Sequence, residues 1–432
     1  MRAPAEQVLI IGWRKRLLHA RVALHVAAHF AARVLRGRMA PSVYPRFLRR
    51  ALLFLGTVRD NKVVRRGRLY KLQLYIPAYP SRAFFYTLEK LYRPAPGPVS
   101  VVFSMTRACD YHCPHCYQRL DRGKDLELPL LIDIAREMQA LGVSFFDIEG
   151  GEPLLCADRL IELLRAIDDR AEIWVNTTGA HLTDTLAADL RRAGLAGVMV
   201  SVHSPDPVQH DAFTGVPGSF TVACRALRLF AENGVFTAIN CCPGPELVAA
   251  GGLERIFDLA RDLGCAFVQV IHGKSAGGWL GQPAEAQAAP EMIAKLRSLH
   301  LAYNTRREHR HHPCIAAQVF DEREDLFGCT AGGVDRFYVG ADGEVQPCEF
   351  LNVSFGNVRA EPFRVIFARM RSYFRRPGTD WLCCTQAESI AAILRERGLA
   401  RTPIPWEVTR EIIGGWKKGS ETLLYRKLGI YP

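Results

Sequence analysis

The chain has 432 residues, 49% of them hydrophobic and 23% charged, with a net charge of +12. That length and apolar fraction exclude a disordered tail or a small disulfide scaffold, and imply one large core with smaller units attached. No run reaches the ~20 apolar residues of a membrane span, the charged N-terminus lacks the apolar stretch of a secretory leader, and thirteen cysteines, an odd number, point to a reducing cytoplasm.

Residues 1–70 hold 16 Lys and Arg against Glu6 and Asp60, a net +14, so residues 71–432 are near balance at −2. The basicity belongs to one appendage. Within it Arg21, His25, His29, Arg33 and Arg36 recur at helical steps, and Leu17, Leu24, Ala28, Ala31 and Leu35 line the other face of the same helix. Trp13, Leu17 and Leu18 beside Arg14-Lys15-Arg16 fit a helix lying on an anionic membrane. A helical cap packed on the next domain, arginines outward, fits equally. A second basic helix is expected over 46–55 and a short hairpin over 62–76. Nucleic-acid binding is not expected, because aromatic interleaving is sparse and no binding motif appears.

An apolar, β-branched run over 99–105 predicts a buried strand. After it comes Cys109-Asp110-Tyr111-His112-Cys113-Pro114-His115-Cys116-Tyr117, spaced C-x3-C-x2-C. Three thiolates from one loop can wrap one metal centre, and soft ligands select zinc, Cu(I) or iron–sulfur clusters. One reading is a zinc knuckle with His112 or His115 as fourth ligand. The other is a four-iron cluster, which normally takes four cysteines. Three would leave one iron open to a substrate.

A helix is expected over 129–141 and a strand over 145–148, ending in Gly150-Gly151-Glu152-Pro153. Strands over 172–176, 197–202, 236–241 and 266–271 then alternate with helices over 184–193, 220–233 and 253–263. Six β/α units imply a parallel sheet covered by helices, an open barrel. Functional groups then sit at the C-terminal ends of the strands, which draws Asn176, Ser201, His203 and Cys241 toward one cavity. His203 reads as a proton donor or as a packed structural histidine; Cys241-Cys242 reads as a thiol site or simply as core.

Residues 273–289 read as a loop offering Lys274 and Trp279 to a substrate. A helix is expected over 291–303, and a basic linker over 306–312 carries His309, His311 and His312, which read as part of a solvated linker in preference to a metal site. Cys329 is followed by Asp342-Gly343, a strong hairpin signal, and then Cys348. Basic amphipathic helices are expected over 363–374 and 386–398, with Cys383-Cys384 between them. Residues 403–431, with Trp406 and Trp416, would close over the barrel or over the second cysteine group.

The three-cysteine loop, its following Tyr117 and the Gly-Gly-Glu-Pro turn after the next strand together resemble the radical S-adenosylmethionine (SAM) superfamily. The resemblance implies a partial (β/α)6 TIM barrel. Cys109, Cys113 and Cys116 would hold a [4Fe-4S] cluster, and SAM would chelate its open iron. Tyr117, Gly150, Gly151, Glu152 and Pro153 would bind SAM, with Glu152 accepting from its ammonium group. Asn176 and Ser201 would lie near its ribose and carboxylate. His203-Ser204 stands where the family often has Asp-Gly.

The Cys329–Cys348 spacing, C-x13-G-x4-C, is similar to the opening of the auxiliary-cluster extension called SPASM. The later cysteine run of a full SPASM domain is missing, which implies the shorter, one-cluster form called twitch. Its ligands would be Cys329, Cys348 and one of Cys383 or Cys384, with Cys314 a candidate fourth. A disulfide-stapled hairpin is the alternative.

The expected organisation is a basic helical extension (1–95), the barrel (96–305), a small cluster-binding domain (306–385) and a helical tail (386–432). The chain is then a cytoplasmic enzyme, peripheral to the inner membrane surface on the lipid reading. It would cleave SAM with electrons from flavodoxin or ferredoxin and abstract hydrogen from an unidentified substrate. A lipid or other membrane-held molecule is the first substrate class. A peptide is the second, and a non-catalytic iron–sulfur redox protein the third reading.

Overall fold

Runs such as Val101-Val102-Phe103 and Ile173-Trp174-Val175 are apolar without alternation, the pattern of strands covered on both faces. In the computed structural model, which describes residues 7–93, 96–281 and 289–431, they form the centre of a parallel sheet. Its strands are β4 (Ser100–Thr106), β5 (Phe145–Gly150), β6 (Glu172–Thr177), β7 (Leu195–Ser201), β8 (Phe236–Cys241) and β9 (Phe267–Val270), after β1 (Gln7–Ile10), β2 (Val63–Arg66) and β3 (Leu69–Lys71) of a separate antiparallel sheet. A seventh parallel strand, β10 (Cys314–Ala317), pairs with β9. On the other edge β11 (Tyr338–Val339) pairs in parallel with β4 and in antiparallel with β12 (Val345–Gln346). The Asp342-Gly343 hairpin is therefore an extension of the barrel sheet. The order is β10-β9-β8-β7-β6-β5-β4-β11-β12, a partial TIM barrel with a basic, mainly helical N-terminal extension.

The extension closes the lower mouth of the barrel. Lys71, fully buried, donates to Glu172 Oε1 (2.6 Å) and to the carbonyls of Leu74 and Ile76. Trp174 Nε1 donates to the same carboxylate oxygen (2.7 Å) and the Ala78 N–H to the other (2.6 Å). Removing one partner of this pair would leave a buried charge alone, at a cost of about 3–5 kcal/mol. Around it, Val64 and Leu74 pack on Phe145, Trp174, Phe236 and Phe267; the three phenylalanines open their strands.

The helix Gly12–Leu35 buries Leu18, Val22, Val26 and Phe30. His25 bonds the Tyr79 hydroxyl (2.7 Å), the His29 ring stacks on Phe85 at 4.0 Å, and Arg33 pairs with Glu89. His29 and Arg33 are therefore partly packed and His25, although exposed, reaches Tyr79, while Leu17, Leu24, Ala28 and Leu35 are exposed. The helix and its period were expected; its outward face carries exposed Arg14, Arg16, Arg21 and Arg36 as well as the apolar Leu17, Leu24 and Leu35. The tail is tied to the same region: Arg50 Nε donates to the Leu428 carbonyl at 2.6 Å. Among the described residues no helix is long and apolar enough to cross a membrane.

Candidate functional site

The cysteine loop leaves the C-terminal end of β4 and is held from two sides by glycine pairs. A Cβ on Gly150 would lie 2.2 Å from the Thr106 carbonyl oxygen, and one on Gly151 2.0 Å from that of Ala108. The backbones touch because no side chain intervenes, and Gly151 N–H and Glu152 N–H donate to those two carbonyls (2.7 Å each). On the far side, a Cβ on Gly277 would lie 2.4 Å from the Cys116 carbonyl oxygen and one on Gly278 2.2 Å from that of Pro114. Gly278 N–H donates to the Cys116 carbonyl at 3.0 Å, and His112 N–H to Thr214 at 2.9 Å. Only the first clamp was expected to be functional. Gly277-Gly278 fell within the loop expected over 273–289, of which 282–288 lie outside the described residues.

The three thiols are free, Cys109 exposed and Cys113 and Cys116 half-buried. Burial, and then their mutual repulsion as thiolates, pushes Cys113 up to about 12; burial first pushes Cys116 to about 11. Such thiols ionise when a cation arrives to bind them. Among the described residues no three His, Cys, Asp or Glu side chains converge in ligating geometry. The fit to a cluster rests on the donor chemistry, three soft ligands on one clamped loop. His115 turns away from a zinc-knuckle role: its ring packs on His203 (4.7 Å), Phe213 (4.9 Å) and Trp279 (5.7 Å).

Glu152 is placed differently from expectation. It is buried, and its carboxylate accepts from Leu154 N (2.9 Å), Thr177 Oγ1 (2.6 Å), Thr178 N (2.6 Å) and Thr178 Oγ1 (2.5 Å). Four donors fill its lone pairs. It ties the turn after β5 to the end of β6 and leaves no acceptor for a ligand. Pro153 is buried at the start of the short helix that follows.

Below the loop lies a cavity of about 430 Å³. Cys109, Cys113, Cys116, Tyr117, Gly150, Gly151, Asn176, Ser201 and His203 all line it, as do Lys274 and Trp279. So do Asp147, Glu149, Asn240, Gln269 and Glu349, which sequence reasoning passed over. Asp147 and Glu149 stand two positions apart on β5, so they share the inward face. Burial raises both, Glu149 to about 7, and their mutual repulsion adds to the shift of Asp147. Tyr117 donates to Glu149. Asn176 Nδ2 donates to Asp147 (3.1 Å) and Glu149 (2.8 Å), which fixes its amide with Oδ1 unpaired. The Oε1 atoms of Gln118 and Gln269 are unpaired in the same way.

The two expected cavity cysteines exchange roles: Cys241 is fully buried in the core, and its neighbour Cys242 lines the cavity. His203 is held structurally. Its backbone N–H donates to His210 Nδ1 (3.1 Å), and its own Nδ1 accepts from the Cys242 N–H (3.3 Å). Burial keeps it well below its ordinary pKa, so it is neutral.

A second cysteine group adjoins this cavity. Cys329, Cys348, Cys383 and Cys384 are free and lie near one another in the C-terminal region. The Cys383 thiol donates to Cys384 and holds it down to about 7. Lys274 borders both places. Its ammonium is 2.8 Å from His272 Nε2 and 5.0 Å from the Trp381 ring centre. Burial opposes its charge, but Cys383, Cys384, Glu322 and Cys348 together leave its pKa above the ordinary value. Lys418 stands on another side, donating to the Ala331 carbonyl at 2.6 Å. Cys314 is not part of this group. It begins β10, pairs with Phe267 and packs in the lower apolar cluster with Trp174 and Met199. Proximity in sequence misled here, because the chain runs the length of a strand before reaching Cys329.

The radical SAM superfamily model matches residues 103–249, and the iron–sulfur cluster-binding domain called SPASM matches residues 329–386. An AdoMet-dependent heme synthase of Oleidesulfovibrio alaskensis is 29% identical over 305 residues, covering 64% of this chain and 76% of that protein. A PqqA peptide cyclase of Streptomyces rochei is 27% identical over 306 residues, covering 67% of this chain and 81% of its own. Among solved structures, Streptococcus suis SuiB bound to precursor peptide SuiA has a TM-score of 0.51 at 17% identity, covering 71% of this chain and 73% of that one. That likeness is one of fold.

Proposed function

We propose that this chain, a radical SAM enzyme with a SPASM-type iron–sulfur extension, modifies a peptide or protein substrate. When bound, the [4Fe-4S] cluster supplies the electron that cleaves SAM to a 5′-deoxyadenosyl radical, which takes a hydrogen atom from substrate. The chain's own residues do the rest. Cys109, Cys113 and Cys116 are the cluster ligands. Gly150-Gly151 and Gly277-Gly278 fix the loop that carries them. Asn176, with Oδ1 unpaired, and Ser201 orient SAM, and Glu152 acts as a positioning residue through Thr177 and Thr178. Cys329, Cys348, Cys383 and Cys384 supply four thiols, the number one auxiliary cluster takes. A small electron-transfer protein such as flavodoxin or ferredoxin is the reductant, and contact with a membrane is peripheral.

The substrate class rests on the acceptors in the cavity. Gln118 and Gln269 each hold a buried, unpaired amide oxygen, beside the carboxylates of Asp147 and Glu149. Such a wall favours a ligand rich in N–H donors, which peptides are and lipids are not. A relative named as a peptide cyclase supports the same reading, and moves it ahead of the lipid class expected from the basic N-terminus.

The test is 5′-deoxyadenosine formation by the reconstituted enzyme. Precursor-like peptides should stimulate it above the uncoupled rate and gain a mass change that requires Cys109, Cys113 and Cys116. Stimulation by a porphyrin or by lipid vesicles, with none by any peptide, would sink the peptide reading.

A further inference from the structure

The helix Gly12–Leu35 is apolar on two opposite sides. At 100° per residue, Leu18, Val22, Val26 and Phe30 form the arc turned to the core, all four buried. On the opposite side Trp13, Leu17, Leu24 and Leu35 fall within about 40° of one another. They are 67%, 61%, 72% and 88% exposed, and exposed Ala20 and Ala28 fill the gaps between them. The stripe runs about 33 Å at 1.5 Å per residue. A fold needs one such face; the second has no partner among the described residues.

Its edges carry one sign of charge. Arg14 and Arg21 flank the stripe on one side and Arg16 on the other, with Arg36 and Arg38 beyond the C-terminal end, all exposed. No Asp or Glu occurs between Glu6 and Asp60. The basic residues that serve the fold are different ones: Lys15 donates to the carbonyls of Arg59 (2.7 Å) and Asn61 (3.0 Å), and Arg33 pairs with Glu89. These contacts and the His25–Tyr79 bond hold the helix so that the stripe points outward.

We propose that this face docks the protein on an anionic membrane surface, with Trp13, Leu17, Leu24 and Leu35 entering the headgroup region and Arg14, Arg16 and Arg21 meeting lipid phosphates. A second copy of the chain is a poor occupant, since pairing the same face would set these arginines against each other. The inference rests on this helix alone and is independent of the substrate class.

The test uses the full chain and vesicle co-flotation. Wild type should float with phosphatidylglycerol-containing vesicles, less so at high salt, and not with pure phosphatidylcholine. Trp13→Ser/Leu17→Ser/Leu24→Ser and Arg14→Ser/Arg16→Ser/Arg21→Ser should each weaken binding about tenfold or more. Both variants should keep their melting temperature and their SAM cleavage, because none of these side chains packs in the core or lines the cavity. Wild type that ignores the anionic vesicles, or a stripe variant that binds as well as wild type, overturns the proposal. So does a lipid-free dimer that the stripe variant dissolves, which would make the face an interface between copies.

Discussion

The substitution Gly151→Ala tests the idea that backbone contact positions the cluster loop. A Cβ there would stand 2.0 Å from the Ala108 carbonyl oxygen, 2.5 Å from its carbon and 2.8 Å from the Arg107 carbonyl carbon. Ordinary contact begins near ~3.5 Å, so the two segments must separate by about 1–1.5 Å. All three atoms are backbone, and no rotamer change can absorb the clash. The separation also stretches the 2.7 Å bonds from Gly151 N–H and Glu152 N–H, each contributing about 0.5–1.5 kcal/mol. Ala108 immediately precedes Cys109, so the shift moves the first ligand relative to the cavity. A misplacement of about 1 Å can cost on the order of a hundredfold in rate. We expect anaerobically reconstituted Gly151→Ala to form 5′-deoxyadenosine on the order of a hundredfold more slowly than wild type with dithionite. Gly414→Ala is the control, since its Cβ meets nothing within 4 Å. Wild-type cleavage by Gly151→Ala would refute the clamp.

Changing Cys109, Cys113 and Cys116 together to Ala should abolish SAM cleavage yet leave about four irons per chain, by colorimetric assay; loss of all iron from a folded triple variant would remove the auxiliary site. Lys274→Met takes away a buried positive charge beside Cys383 and Cys384, so the auxiliary cluster's midpoint potential, from an EPR-monitored titration, should move to more negative values, and an unchanged potential would disconnect Lys274 from it. Asp121, buried and raised to about 7, keeps in the folded state a proton that the unfolded chain releases near pH ~3.9. Its contribution, up to about 4 kcal/mol, is present at low pH and lost as pH rises through about 7. Denaturant unfolding should therefore show Asp121→Asn losing less stability than wild type between pH 4.5 and 8, which identical slopes would contradict. Glu152→Gln puts an amide donor among four donors, and should lower stability by about 1–3 kcal/mol; an unchanged melting temperature would mean that the carboxylate is not the tie between β5 and β6.

The central strands were legible because long apolar, β-branched runs leave no alternative packing, and the helix expected over 184–193 is bounded as observed. β10 was missed because Cys314-Ile315-Ala316-Ala317 is short and nearly featureless; it is a strand only because β9 offers an edge to it. The Asp342-Gly343 hairpin was readable, but its attachment to β4 depends on residues more than 200 positions away. The N-terminal helix shows the same limit on one element. Its sequence has two apolar arcs, and local periodicity cannot say which one the barrel covers. Asp147 and Glu149 were hidden inside a strand pattern, although two acids at i and i+2 in an otherwise apolar run are a signal that one polar face looks inward.

The two cysteine groups are not independent appendages. Lys274, Phe350 and Glu349 line the cavity beneath the first group, while Phe350 and Glu349 follow Cys348 directly in the chain. The Lys274 ammonium lies over the Phe350 and Trp381 rings, and Glu322 is the carboxylate whose charge acts on it. A lysine buried without a counter-ion would ordinarily shed its proton. Here Cys383 and Cys384, with Glu322 and Cys348, raise its pKa against the effect of burial, and the same side chain lines the cavity. Lys274 therefore stands between the cavity that the first cysteine group lines and the second cysteine group, and a change in charge on either side acts on it.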